Sequence, residues 1–360
     1  MKFLIKKIYI ILFLLIILLS SIKVFAKDSK IQYARKDISN YFLGIVSANQ
    51  NYNNEAFKYL KKAQSIKNRH SQFNIQFIRT LVLLEKFEKA FAFSKDIWRE
   101  DEFIFETELL LGIQAFVNND FVNAEKHFGR MNEISNYEIS FEQLFGNILM
   151  SWIKASTGDE KASFEFSSKI PTRFNSIRKI QNSFLQCYFD SLETRISFEK
   201  LVNENEYDFS RYNFFLVNYL ISKKDNLEAK KVINKARIKN DGNLLIKQTE
   251  DFIVNKKNKE IEKLFDCKNP KDVVAEFFYI LANLHSAQEN YKLSNFYLKV
   301  SLFLNDRFVP NKTLLAENFF YEKKYENSKK IYKSIKLIGP VYSWHASLTN
   351  AIILSETKNK

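Results

Sequence analysis

The side chains able to carry chemistry are few and scattered. Four histidines occur, His70, His127, His285 and His345, and none sits in a His-Glu-x-x-His pair or at another metal-ligand spacing. They read as isolated helix residues, and no metal site is expected. No Gly-x-Ser-x-Gly elbow is present, and seven dispersed glycines cannot build a phosphate loop. Acidic pairs such as Asp101-Glu102, Asp159-Glu160 and Asp225 with Glu228 fall at turns and helix starts, where a carboxylate stabilises the helix N-terminus. A glycosidase needs two carboxylates facing across a cleft, and nothing in the spacing places two so. No catalytic residue and no cofactor site is assigned. Cys187 and Cys267 are the two cysteines. An exported chain could join them. If each repeat advanced the stack by a helix diameter, ~10 Å, they would lie too far apart for a bridge, so unpaired thiols are expected.

The elements that carry these residues are helices. The chain of 360 residues is 46% hydrophobic and 15% aromatic, with only 7 Gly and 4 Pro. So few turn formers favour helices joined by short turns over hairpins and glycine-rich loops. The net charge is +14. Lysines mostly alternate with Glu and Asn on solvated faces, so the excess is compositional and no nucleic-acid partner is expected. "MKFLIKK" followed by the uncharged run Ile8–Ile22 and "KVFA" reads as a signal peptide over residues 1–26, with Val24 and Ala26 at the small-residue positions. The alternative is an uncleaved anchor formed by residues 8–22, short for a bilayer span of ~20 residues. Either places the chain outside the cytoplasm: periplasmic, or held in the inner membrane facing the periplasm.

A phrase returns through the chain. An aromatic, two spacers and a small residue appear as Phe87–Ala90, Phe121–Ala124, Tyr291–Ser294 and Tyr325–Ser328. All four lie in one 34-residue phase. Thirteen residues ahead of the small residue come Leu43-Gly44, Leu111-Gly112, Leu281-Ala282 and Leu315-Ala316. Between them run apolar stripes three and four residues apart, each helix too short to be stable alone and so dependent on stacking. Pro171, Pro270, Pro310 and Pro340 fall between units. The middle, about 141–270, is degenerate. There Gly158 holds the phase and Ala162 offers the small residue.

With these motifs the chain resembles the tetratricopeptide repeat (TPR) family, whose 34-residue unit is a pair of antiparallel helices. The resemblance covers about 300 residues. It implies an all-α, right-handed superhelical solenoid: a linker at 27–35, about nine hairpins over 36–340, then a capping helix and polar tail at 341–360. It also implies a concave groove lined by the first helix of each unit, two residues before and after the Leu of the Leu-Gly pair. The positions are Tyr41 and Ile45, Ile75 and Arg79, Leu109 and Ile113, Phe214 and Asn218, Tyr279 and Asn283, Thr313 and Glu317. Of these, Tyr41, Arg79, Phe214, Asn218, Tyr279, Asn283 and Glu317 are the candidates for holding a protein or peptide partner. The lysine–asparagine clamp that some TPR domains use for a C-terminal carboxylate is not reproduced. RNA-binding pentatricopeptide repeats are of similar length, but an exported chain does not meet RNA. The expected function is a non-catalytic scaffold or adaptor in the bacterial envelope, with possible contact to the membrane surface. A membrane-anchored accessory subunit is the alternative, and an enzyme with an unrecognised site ranks last.

Overall fold

A computed structural model describes residues 33–133, 141–204 and 209–358; the leader, and with it the choice between signal and anchor, lies outside the described residues. Nine antiparallel helix pairs follow one another. They are α1 (Arg35–Asn49) with α2 (Asn53–Lys62), α3 (Ser71–Leu83) with α4 (Phe87–Ile97), and α5 (Phe105–Val117) with α6 (Phe121–Glu133). Next come α7 (Phe141–Ser156) with α8 (Glu160–Ser168), α9 (Asn175–Tyr188) with α10 (Thr194–Val202), and α11 (Tyr212–Ser222) with α12 (Asn226–Lys239). The last pairs are α13 (Leu244–Val254) with α14 (Asn258–Leu264), α15 (Pro270–Ala287) with α16 (Tyr291–Leu304), and α17 (Val309–Tyr321) with α18 (Tyr325–Ile335). A final helix, α19 (Pro340–Lys358), packs on α18 and on α13. The described residues contain no strand. The fold is an all-α solenoid of stacked helix pairs.

One backbone device makes every hairpin. At each elbow a single residue takes positive φ: Asn51, Glu85, Asn119, Gly158, Asp190, Lys224, Lys256, Glu289 and Lys323. The N–H of the next residue then donates to the carbonyl five positions back. Tyr52 donates to Ser47 at 2.8 Å, Lys86 to Leu81 at 2.9 Å, and so on to Lys324 with Phe319 at 2.8 Å. This bond satisfies a carbonyl that the ending helix leaves orphaned. It offsets the ~1–2 kcal/mol that a left-handed conformation costs a residue with a Cβ, so only Gly158 among the nine is glycine. Except after Asp190, the following residue directly precedes the second helix, and Asp159, Asp225 and Asn290 cap it through their side chains.

Five residues past most elbows comes a buried side chain facing the first helix: Ala56, Ala90, Ala124, Ser163, Ala229, Ile261, Ser294 and Ser328. In the fourth pair this is Ser163, one residue beyond the Ala162 expected from sequence. Ser151 Oγ donates to the Ser163 carbonyl at 2.8 Å, as Ser328 Oγ does to Ala316. Ser therefore serves where the backbones approach and a hydroxyl can be satisfied. In the third pair the approach is closer still. A Cβ on Gly112 would lie 2.1 Å from the Phe128 ring.

The array closes on itself. The hairpin α15–α16 packs against helices of the N-terminal half, α3 and α7. Phe303 stacks on Phe87 at 4.3 Å between ring centroids, and Phe145 meets Phe277 at 5.2 Å and Tyr297 at 5.8 Å. Lys299 pairs with Glu85, and Lys271 donates to the Val117 carbonyl at 2.9 Å. At the outer seam the first and ninth elbows touch: Asn51 bonds Glu322, and Lys324 donates to the Asn51 carbonyl at 3.0 Å.

Cys187 and Cys267 form a disulfide, with Cα atoms 6.0 Å apart. This corrects the expectation of unpaired thiols. The sequence estimate assumed a straight advance per repeat. Instead α14 is short, and the segment after it crosses back beneath α9 and α11. Phe265 packs on Phe184 at 5.4 Å and on Phe215 at 4.6 Å, which brings Cys267 under the end of α9.

Candidate functional site

The groove positions divide into two groups, and α15–α16 packs against two of the first helices of the N-terminal units, α3 and α7. Leu109 and Ile113 are buried, and Ile45 and Ile75 are half-buried. Arg79 donates from Nε to Glu106 at 2.7 Å, and that carboxylate is itself buried. Tyr41 is half-buried, its ring 4.7 Å from His70, and burial pushes its hydroxyl up.

Two candidates are corrected outright. Phe214 is buried, its ring 5.8 Å from Phe308. Asn218 is 7% exposed and donates to the carbonyls of Ile261 at 3.1 Å and Phe265 at 3.0 Å. Its amide closes two carbonyls left open where α14 ends, so it is a structural tie rather than a ligand contact. Thr313 is likewise buried.

Tyr279, Asn283 and Glu317 fare differently. Asn283 is exposed, one turn beyond Tyr279 on α15. The Tyr279 ring lies under the Arg211 guanidinium at 4.2 Å, and burial pushes its hydroxyl up. Glu317 is half-buried, 3.7 Å from His345 Nε2, and burial pushes its carboxyl up to about 7. At neutral pH it can give or take a proton.

Behind this surface lie buried carboxylates that hold α15. Glu276 is 1% exposed and accepts from Arg211 and from the Tyr212 hydroxyl at 3.1 Å. Burial pushes it up to about 7 even with the guanidinium opposite. One turn earlier, Asp272 accepts from Arg307 at 2.8 Å and from the Asp266 amide at 2.9 Å, and burial pushes it up to about 6. Glu108 forms a third centre, accepting from Trp98 Nε1 at 3.0 Å and His127 Nδ1 at 2.7 Å and forming an ion pair with Arg130 at 2.8 Å. Sealed from solvent and each facing an arginine, these groups fix helices against one another. Among the described residues no cluster of three His, Cys, Asp or Glu could hold a metal ion, and no helix is long and apolar enough to cross a membrane.

A recess at the seam of the array was not anticipated. It is a cavity of 810 Å³ at the seam where the first and ninth elbows meet. Tyr52, Phe319 and Tyr325 supply aromatic faces; Asn54, Asn327 and Lys330 supply hydrogen-bonding tips. The elbow phrases that mark the repeat thus line it themselves. The signal available in sequence was the crowding of Asn and Lys into two elbows, "NYNNE" and "KKYEN". Elbows far apart in the chain show no sign that they are neighbours.

No family model matches the chain, and no curated protein matches it. Among solved structures it is similar to a chain in the crystal structure of the APC/C hetero-tetramer Cut9–Hcn1. The identity is 12% and the TM-score 0.34, over 90% of this chain and 72% of that one. A score of that size adds nothing to what the elbows and helix contacts already establish.

Proposed function

We propose that this chain is an exported, non-catalytic adaptor that binds an extended peptide or protein segment at the seam of its closed array. The seam cavity carries the reading. Its volume falls in the range of ligand sites, ~300–1,000 Å³. Its amides and lysines suit the backbone carbonyls of an extended segment, and its aromatic faces suit that segment's side chains. Tyr279, Asn283 and Glu317 offer a second, smaller contact surface on α15 and α17. In this reading the N-terminal groove contributes less, because α15–α16 packs against α3 and α7.

The setting we propose is the bacterial envelope, with the leader removed after Ala26. The anchored alternative keeps Ile8–Ile22 and makes the same array an accessory subunit at the membrane. Sequencing the N-terminus of the mature protein separates the two.

Photo-crosslinking in cells tests the adaptor reading, with the probe at Asn54 or Asn327 and a control at exposed Ile238 on α12. One discrete partner should be captured from the seam alone and lost when Tyr52 and Tyr325 become Ala. Equal capture from Ile238, or capture indifferent to the two tyrosines, would mean that the seam is not the working surface.

A further inference from the structure

In a stacked array the first and last helices lack a neighbour on one side, and a soluble array caps them with polar residues. Helix α1 does the opposite. Phe42 is 60% exposed and Val46 54%, and Ile38 and Leu43 stand beside them in the open. At i, i+4 and i+8, residues 38, 42 and 46 form one apolar stripe. The hairpin that carries it is cationic. Arg35 and Lys36 open the helix, both exposed, and Lys58, Lys61 and Lys62 stand exposed on α2. Against these five the hairpin has two acids, Glu55 and Asp37, and Asp37 accepts the Ser65 hydroxyl at 2.6 Å. An apolar stripe of Ile, Phe and Val on a hairpin with surplus lysine and arginine is the composition of a helix that lies in a bilayer interface.

In the anchored alternative, position in the chain points the same way. Residues 23–34 separate the apolar run ending at Ile22 from Arg35. At ~3.3–3.6 Å per residue, α1 can lie no more than about 45 Å from wherever that run is held.

We infer that the exposed face of α1 docks on an anionic membrane surface and orients the array on it. The inference draws on the exported setting proposed above, but its test is read on vesicles and can hold or fail whichever partner the seam binds. Helix α19 provides an internal comparison. Trp344, Leu348 and Ile352 repeat the spacing and are exposed, and neighbouring α18 carries exposed Lys330 and Lys333 as α2 carries its lysines, but α19 opens with no counterpart of Arg35 and Lys36.

The test places an environment-sensitive fluorophore on the full chain purified from cells, through Ser39→Cys on α1 or Ser347→Cys on α19. The native cysteines are bridged and do not compete for label. With vesicles of phosphatidylcholine and phosphatidylglycerol, the label at 39 should shift to the blue and be shielded from iodide, and the label at 347 should not. Three surplus cations, at ~1 kcal/mol each, predict a half-maximal lipid concentration on the order of 100-fold higher on phosphatidylcholine alone. Phe42→Glu with Val46→Glu should abolish the response, and Arg35→Glu with Lys36→Glu should remove the lipid preference while leaving the apolar stripe intact. No response at 39, or an equal response at 347, would overturn the inference. So would a shift at 39 that grows with protein concentration without lipid, because a second copy would then cover the face.

Discussion

Breaking the bridge between Cys187 and Cys267 should cost the array a large part of its stability. The two residues are 80 apart in sequence. Closing a loop of that length removes enough entropy from the unfolded chain to be worth ~4.5 kcal/mol at 25 °C, and native bridges deliver ~2–4 kcal/mol. The loop contains α10 to α14 and ends at the segment that leads α15 into the N-terminal half. Reduction therefore frees the approach to the closing hairpin, which Lys268 still holds by donating to the Tyr188 carbonyl at 2.7 Å and pairing with Asp190 at 2.6 Å. The assay is urea unfolding of oxidised protein, reduced protein and the double variant Cys187→Ser/Cys267→Ser. With a slope of ~3 kcal/mol per molar, the midpoint should fall by ~1 M in both the reduced protein and the variant. A repeat array need not unfold in one step, so amide exchange gives a local readout: protection around Phe265 and the end of α9 should drop first. An unchanged midpoint, or two thiols titrating in denaturant before any reductant is added, would refute the reasoning.

Three further outcomes are expected. Burial raises both Glu276 and Asp272, to about 7 and about 6, so the folded state holds their protons more firmly than the unfolded chain does. Stability from these two groups is fully present below their unfolded values and is lost as pH rises through about 6 to 7; thermal unfolding at pH 5 and pH 8 should show the lower midpoint at pH 8, and Glu276→Gln should flatten the difference. Gly112→Val would drive a side chain into the Phe128 ring and should cost at least ~1–3 kcal/mol, whereas Gly129→Ala, inside α6 with nothing within 4 Å of the added carbon, should raise stability by ~0.5–1 kcal/mol. Glu108→Ala strips the acceptor from Trp98 and His127 and the ion-pair partner from Arg130 and should cost ~3–5 kcal/mol, read as loss of near-ultraviolet dichroism from Trp98 at lower denaturant.

What the sequence determined is the hairpin and its recurrence. The spacing of aromatic, small residue and Leu-Gly is local, because an elbow is built by residues within one turn of it and by a bond five residues back. The same geometry appears where the phrase is weak. Asp190 and Lys256 turn their elbows with few of the signature residues nearby, since the backbone needs only a left-handed residue and a start for the next helix. Helix ends also follow from local residues, as with Pro270 in the first turn of α15 and Asn269 capping it.

Tertiary structure alone decided which surfaces remain free. The curvature of a solenoid accumulates from small rotations between neighbouring pairs, and no residue spacing records their sum. Whether Phe303 reaches Phe87, or Lys324 reaches Asn51, depends on many such rotations together. That sum packed α15–α16 against α3 and α7, turned Asn218 from a candidate ligand contact into a tie for α14, and brought Cys267 beneath α9. It also set two distant elbows side by side to form the seam. Contacts between adjacent helices are encoded in periodicity; contacts between the two ends of the array depend on its shape, and the sequence specifies that shape only through the packing of every pair along the way.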